Sequence, residues 1–293
     1  MTFKALTKSL PLSFTQDFKP ERRLISQLVR FAQKDGKGDK QEISRATGIP
    51  TGKSSGKVEP MIHYATAMGL INACKQEGRW GLSLTPLGLL VLNEDPYFTE
   101  DITLWLMHLM LCRPLNQTDT TVQAVGIVDP WFTLFALSEA RLGRSFTSYE
   151  YGTFMEERFG ATDKRRKMGA VILGSYNEDS CLGLTKAIEV DASGSIARNK
   201  APQDIELYPA YSAYLFLLWD EFFPKEKQLS LNELFQRTRM LSVMFWVNQD
   251  TKPWLEWMTD QGMIQLDRQT GEPLALRTIN TTDVIDNIYS ELI

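Results

Sequence analysis

Lys40-Gln-Glu-Ile-Ser-Arg-Ala-Thr-Gly-Ile-Pro50 decides the reading of the fold. It reads as a short helix closed by Gly48, and Pro50 prevents continuation. Upstream, Glu21 to Ala32 places Leu24, Ile25, Leu28, Val29 and Phe31 close to a helical stripe. The polar loop Lys34 to Asp39 separates the two. Downstream, a second helix begins near Gly56 to Pro60 and runs through Met61-Ile-His-Tyr-Ala-Thr-Ala-Met-Gly69, with Pro60 suited to a first turn. Leu70 to Lys75 and Arg79 to Leu84 read as strands around a turn at Gln76-Glu-Gly78. Thr85-Pro86-Leu-Gly88 starts another helix. Short helix, glycine turn, second helix and hairpin together predict a winged helix-turn-helix.

Charge supports a partner for that end. Residues 1–90 carry 14 Lys and Arg against 7 Asp and Glu, a net of +7. Residues 91–293 then carry 18 against 29, a net of −11, and the chain as a whole carries −4. A basic head on an acidic body fits a chain of which one end meets a polyanion; two unrelated solvated surfaces give the same arithmetic.

The stretch between the two helices, Thr51-Gly-Lys-Ser-Ser-Gly-Lys57, is small, polar and basic. Lys53, Ser54, Ser55 and Lys57 are therefore the expected phosphate contacts, against the alternative of a flexible solvated turn. Arg79 and Trp80 on the hairpin come second, and His63 and Thr66 on the second helix are the residues placed to reach base edges in a major groove. The same stretch is not a nucleotide-binding P-loop. Gly48 to Gly52 encloses three residues where that motif needs four, and a polar helix precedes it in place of a buried strand.

The rest of the chain reads as helical. Glu100 to Cys112 is almost wholly apolar and predicts a buried central helix. Pro114 to Gly126 reads as an irregular linker, and Asp129-Pro130 opens a further helix. Ser148 to Phe159, Thr162 to Tyr176 and the aromatic run Tyr208 to Phe223 follow, and Ser230-Leu-Asn-Glu233 fits a capping box. Near the end, Leu255 to Ile264 echoes Ile62 to Ile71, with Thr259 opposite Thr66 and Gly262 opposite Gly69. A strand from Ile264 to Asp267, a turn at Arg268 to Gly271 and a strand from Pro273 to Thr278 follow it. The expected architecture is mainly α with an α+β character. It comprises a winged-helix domain over 1–92, a helical domain over 93–227 and a second winged-helix-like domain over 228–293.

Chemistry is sparse. The two histidines are His63 and His108; His108 and Cys112 share a helical face but have no local partners, so a buried structural role is expected and zinc is not. The Trp105, Met107, Met110, Met244 and Trp246 stripes read as core. Lys164-Arg-Arg-Lys167 stands at a helix N-terminus, against the helix dipole. Lys164, Arg165, Arg166 and Lys167 either extend a phosphate track or pair with Glu156 and Glu157. Among adjacent carboxylates Glu178-Asp179 are the catalytic candidates, with a helix cap or solvated turn as the plainer reading. No run reaches the roughly 20 apolar residues of a membrane span, the N-terminus lacks a signal-peptide core, and Cys74, Cys112 and Cys181 are scattered. A cytoplasmic protein is expected.

Several stretches taken in order resemble a bacterial family of unknown-function domains that includes the SspB nickases of DNA phosphorothioation systems. They are Gly48-Ile-Pro-Thr-Gly-Lys-Ser-Ser-Gly-Lys-Val58, Met68-Gly-Leu-Ile71, Leu84-Thr-Pro-Leu-Gly88, Glu94-Asp-Pro-Tyr97, Ile102-Thr-Leu-Trp-Leu-Met-His108 and Glu178-Asp-Ser180. The order holds over residues 20–280. Many family members have a Phe-x-Gly-His-Glu-like stretch where this chain has Ser13-Phe-Thr-Gln-Asp-Phe18, so a role carried by that pair does not transfer. The resemblance implies a DNA-modification or phage-defence setting, with DNA nicking to permit sulfur insertion. It also implies sulfur-transfer and ATPase proteins of the same system as partners. No cofactor is evident; a nickase would need a metal such as magnesium or manganese. The rival expectations are a non-catalytic DNA-binding adaptor or transcription-type regulator, and a structural subunit without DNA contact.

Overall fold

The computed structural model describes residues 6–117, 123–268 and 271–292. Met1 to Ala5, the middle of the 114–126 linker and the tip of the 268–271 turn lie outside the described residues. Elements run in the order α1 (Arg22–Ala32), β1 (Lys37–Gly38), α2 (Lys40–Thr47), α3 (Val58–Ala67), β2 (Ile71–Gln76), β3 (Arg79–Leu84), α4 (Pro86–Glu94) and α5 (Asp101–Leu111). The middle holds α6 (Asp129–Phe132), a π-helical turn, α7 (Glu139–Leu142), β4 (Ser145–Phe146), α8 (Ser148–Phe159), α9 (Asp163–Asn177), β5 (Ile188–Val190) and β6 (Ile196–Arg198). The last part holds α10 (Tyr208–Phe222), β7 (Gln228–Ser230), α11 (Leu231–Thr238), α12 (Met240–Met244), α13 (Thr251–Asp260), β8 (Ile264–Asp267), β9 (Leu274–Arg277) and α14 (Thr281–Asp286).

These elements repeat one pattern. A short strand runs into a capped helix, a second helix follows (in the last unit after the short α12), and a hairpin closes the unit. The sheets are ordered β1-β3-β2, β4-β6-β5 and β7-β9-β8, all antiparallel. The strand-to-helix junction carries a capping side chain each time: Asp39 and Thr147 in complete capping boxes with Glu42 and Glu150, and Ser230 accepting from the Glu233 amide. The first two helices end at glycines with positive φ, Gly48 and Gly160.

The echo between Ile62–Ile71 and Leu255–Ile264 is geometric as well. Thr66 and Thr259 donate back to the Ile62 and Leu255 carbonyls at 2.8 and 2.9 Å. Gly69 and Gly262 take φ of 75° and 66°. Thr85 and Thr278 donate to the Gly69 and Gly262 carbonyls at 2.6 and 2.5 Å. The middle of the chain, read from sequence as helical, also carries a sheet. Its strands are two or three residues long, too short to show a period.

The core runs along two helices. Every residue of α5 from Ile102 to Leu111 and of α10 from Tyr208 to Trp219 is buried, and the two pack together. The ends of the 114–126 linker are clasped rather than irregular: Leu115 N–H donates to the Val125 carbonyl at 2.9 Å and Ile127 N–H to Arg113 at 3.1 Å. No helix among the described residues is long and apolar enough to cross a membrane.

Candidate nucleic-acid interface

The loop before α3 is ordered. Thr51 and Gly56 pair, and the Gly52 N–H donates to Ser55 at 2.7 Å. Lys40 Nζ donates to the Lys53 carbonyl at 2.7 Å and Gln41 to the Gly52 carbonyl at 3.2 Å, tying the loop to α2. Lys53, Ser54 and Ser55 are exposed at its tip. Lys57 is not free: its ammonium pairs with Glu21 and lies 5.7 Å from the Phe18 ring centroid. Arg79 pairs with Glu42 at 2.9 Å, and Trp80 is buried under Lys75.

The second helix of this first unit does not present a reading face. No residue of α3 is exposed; Glu59, His63 and Thr66 are partly covered and the rest are buried. His63 is wedged edge-on between Phe14 and Trp80, at centroid distances of 5.7 and 5.5 Å. Burial holds its pKa below the ordinary histidine value, so it is a neutral packing group at pH 7. The Thr66 hydroxyl is spent on the Ile62 carbonyl. The sequence expectation that His63 and Thr66 reach base edges is therefore corrected. Apolar residues cover α3 except for the narrow stripe of Glu59, His63 and Thr66, and a helix so covered is mostly buried.

The corresponding helix of the middle unit is α9, and it is open. Thr162 caps it by accepting from the Arg165 amide, and Asp163 in the first turn offsets the cations that follow. Lys164, Arg166, Lys167 and Ala170 are exposed, and Lys164 and Lys167 have no ion pair among the described residues. Arg166 pairs with Glu156 at 2.7 Å and Asp163 at 3.4 Å, while Arg165 donates to the Phe159 carbonyl. Glu157 is taken by Arg141 at 3.1 Å. The basic run thus divides: Arg166 is ion-paired, Arg165 is held by a backbone carbonyl, and Lys164 and Lys167 have no ion pair among the described residues. A groove of about 530 Å³ between α8 and α9 runs past Arg165, Arg166 and the small residues Gly152, Gly169 and Ala170. In the last unit, α13 exposes Lys252, Glu256 and Asp260, which sum to an acidic face.

Glu178 and Asp179 stand where α9 ends. The Glu178 carboxylate pairs with Lys19, and its carbonyl accepts from the Cys181 and Gly183 amides at 2.9 and 3.0 Å. The Asp179 carbonyl accepts from Arg22. This is a helix end with solvated side chains. His108 is fully buried, with Nδ1 2.7 Å from the Tyr176 hydroxyl and 3.7 Å from Cys112 Sγ; desolvation pushes its pKa down to about 3. Among the described residues no three His, Cys, Asp or Glu side chains converge as metal ligands.

Sequence reasoning passed over a second basic surface, formed by Arg22, Arg23 and Arg30 on α1. Their spacing in the sequence is the only local signal for it.

No protein-family model matches the chain, and no curated protein matches it. Among solved structures it is similar to a crystal structure of SspB and to one of magnesium-bound SspB, at 16% and 14% identity. Each match covers 95% of this chain and 86% of the other at a TM-score of 0.67. The fold is therefore SspB-like.

Proposed function

We propose that this chain is the DNA-binding component of a DNA phosphorothioation system, holding duplex DNA through the winged-helix-like middle unit with α9 toward the major groove. One observation carries the reading: of the three structurally equivalent helices, α3 is buried and α13 is acidic, while α9 is exposed and basic. Lys164 and Lys167 neutralise phosphates. Ala170, exposed and without bulk, lets the backbone of a partner approach the helix. The Lys53–Ser55 loop adds phosphate contacts from the first unit. The SspB-like fold and the ordered family-like segments supply the phosphorothioation setting, and with it the sulfur-transfer and ATPase proteins as partners.

The test is a titration on supercoiled plasmid, with and without magnesium or manganese, read for mobility shift and for open circles. The expected result is a shift that weakens with salt. Replacing Lys164 and Lys167 by Ala lowers the salt slope by roughly 2, about one unit for each phosphate no longer neutralised. Binding that ignores both changes overturns the assignment of α9. Open circles that require metal make the protein a nickase; a shift without them makes it the adaptor.

A further inference from the structure

The outer face of α1 carries charge that no carboxylate neutralises. Arg23, Gln27 and Arg30 stand four and three residues apart, on one face, and α1 contains no acidic residue. In the same unit, Lys57, Lys75 and Arg79 each meet a carboxylate. Arg23 and Arg30 meet none among the described residues. With Arg22, Gln27, Tyr97 and Ser180 they line a groove of about 440 Å³. Arg22 Nε and Gln27 Oε1, a donor and an acceptor in its wall, are buried without hydrogen-bond partners among the described residues.

The loop opposite α1 holds an aromatic ring out into solvent. Asp95 accepts from the Thr99 and Glu100 amides at 2.9 and 3.0 Å. Phe98 takes a φ of 56°, an uncommon conformation for a bulky residue, and is fully buried. Ser26 donates to the Pro96 carbonyl at 2.6 Å and Arg22 to the Phe98 carbonyl. Tyr97, between these pinned neighbours, is 70% exposed, and the Arg30 guanidinium lies 5.4 Å from its ring centroid.

We infer that this groove binds a single strand of nucleic acid, with phosphates on Arg23 and Arg30 and one base stacked on Tyr97. Guanidinium forks match phosphate oxygens, and an exposed ring beside them accepts the face of any base. A base in a duplex has both faces covered, so the ring selects an unpaired strand. The inference rests on the proposed DNA-binding function and extends it. Ser180 borders the groove just past the end of α9, whose 15 residues span about 22 Å from the Lys164 end. Duplex and unpaired strand would then lie at opposite ends of one helix.

Fluorescence anisotropy tests this with a labelled 12-nucleotide oligo(dT) and a 20-base-pair duplex, on the full chain. Tyr97→Ala is expected to weaken single-strand binding roughly tenfold, and Tyr97→Phe to restore it. Arg23→Ala with Arg30→Ala is expected to lower the single-strand salt slope by about 1.4. Duplex binding stays within about twofold in all three, and melting curves confirm that each variant folds. Equal losses on duplex and single strand, or no loss on either, overturn the inference. Wild-type protein that binds duplex but not oligo(dT) overturns it and leaves the DNA-binding function standing; failure to bind either removes both.

Discussion

Arg113 ties together three segments that are far apart in the chain, and its removal has a calculable cost. The guanidinium donates to the Ala67 carbonyl at the end of α3 and to the Met110 carbonyl in α5 at 2.7 Å, and lies 4.0 Å from the Glu221 carboxylate of α10. Arg113 is 1% exposed and the Glu221 side chain 7%. Burial lowers the Arg113 pKa and raises that of Glu221, and each charge opposes the shift of the other. Arg113→Met keeps much of the volume but leaves Glu221 buried without a counter-charge. Breaking such a pair costs about 3–5 kcal/mol. At about 2–4 °C per kcal/mol, the melting temperature falls by roughly 10 °C. The loss depends on pH. A carboxyl whose folded pKa is raised gives its full stability below the unfolded value of 4.5 and loses it as pH rises through the folded value. In the variant that folded value rises further, so the deficit narrows between pH 7 and pH 5. Melting of wild type, Arg113→Met and Arg113→Met with Glu221→Gln at both pH values measures this. The double variant should recover several degrees at pH 7. A single variant that melts within 2 °C of wild type, or whose deficit is the same at both pH values, refutes the reasoning.

His108, held down to about 3 by desolvation, should show no imidazole titration by NMR from pH 8 to pH 5. A depressed histidine contributes stability above its unfolded value of 6.5 and loses it as pH falls toward 3, so melting should drop on acidification through that window. Gly88→Ala would place a Cβ 1.8 Å from the Leu70 carbonyl oxygen and should abolish or sharply lower the melting transition. Gly152→Ala, half-buried at the α8–α9 groove with nothing within 4 Å among the described residues, should instead stabilise by up to about 1 kcal/mol; a neutral Gly88→Ala would refute that packing. Cys74 is exposed, while Cys112 and Cys181 are buried with thiol pKa values pushed up, Cys181 to about 11. A thiol reagent should label one cysteine in the native protein and three after denaturation.

The sequence shows the helices of the first unit because their boundaries are chemical. Gly48, Pro60 and the Thr85-Pro86 pair stop and start them within a residue or two of the observed ends. It hides partners. Glu21 is 36 residues from Lys57, and nothing local signals that their charges cancel. The burial of α3 was legible: Val58, Pro60, Met61, Ile62, Tyr64, Ala65 and Ala67 leave no polar face wide enough to read bases. The middle sheet was legible only through its flanks. Thr147-x-x-Glu150 is a capping box, and Asp191-Ala-Ser-Gly-Ser195 is turn chemistry in which the Asp191 carboxylate accepts from the Ser193 and Ser195 amides at 2.8 and 2.9 Å. The α1 groove needed the fold, since Tyr97 and Ser180 reach Arg30 only through tertiary packing.

Net charge by segment is a poor guide to accessible charge, and this chain shows why. The +7 of residues 1–90 draws attention to the first unit, yet Lys19, Lys57, Lys75 and Arg79 each sit on a carboxylate. The remaining segment sums to −11, yet it contains Lys164 and Lys167, exposed at the start of α9 and free of ion pairs among the described residues. A surface ion pair adds little to stability, at most about 1 kcal/mol, but it removes a cation from the field a phosphate sees. Among the cations left without an ion pair are those of the α1 face, the Lys53 loop and the start of α9. The α1 groove and Lys164 lie toward opposite ends of α9. The same supersecondary unit, built three times, thus offers three different surfaces. Packing decides which helix is open, and pairing decides which open helix is positive.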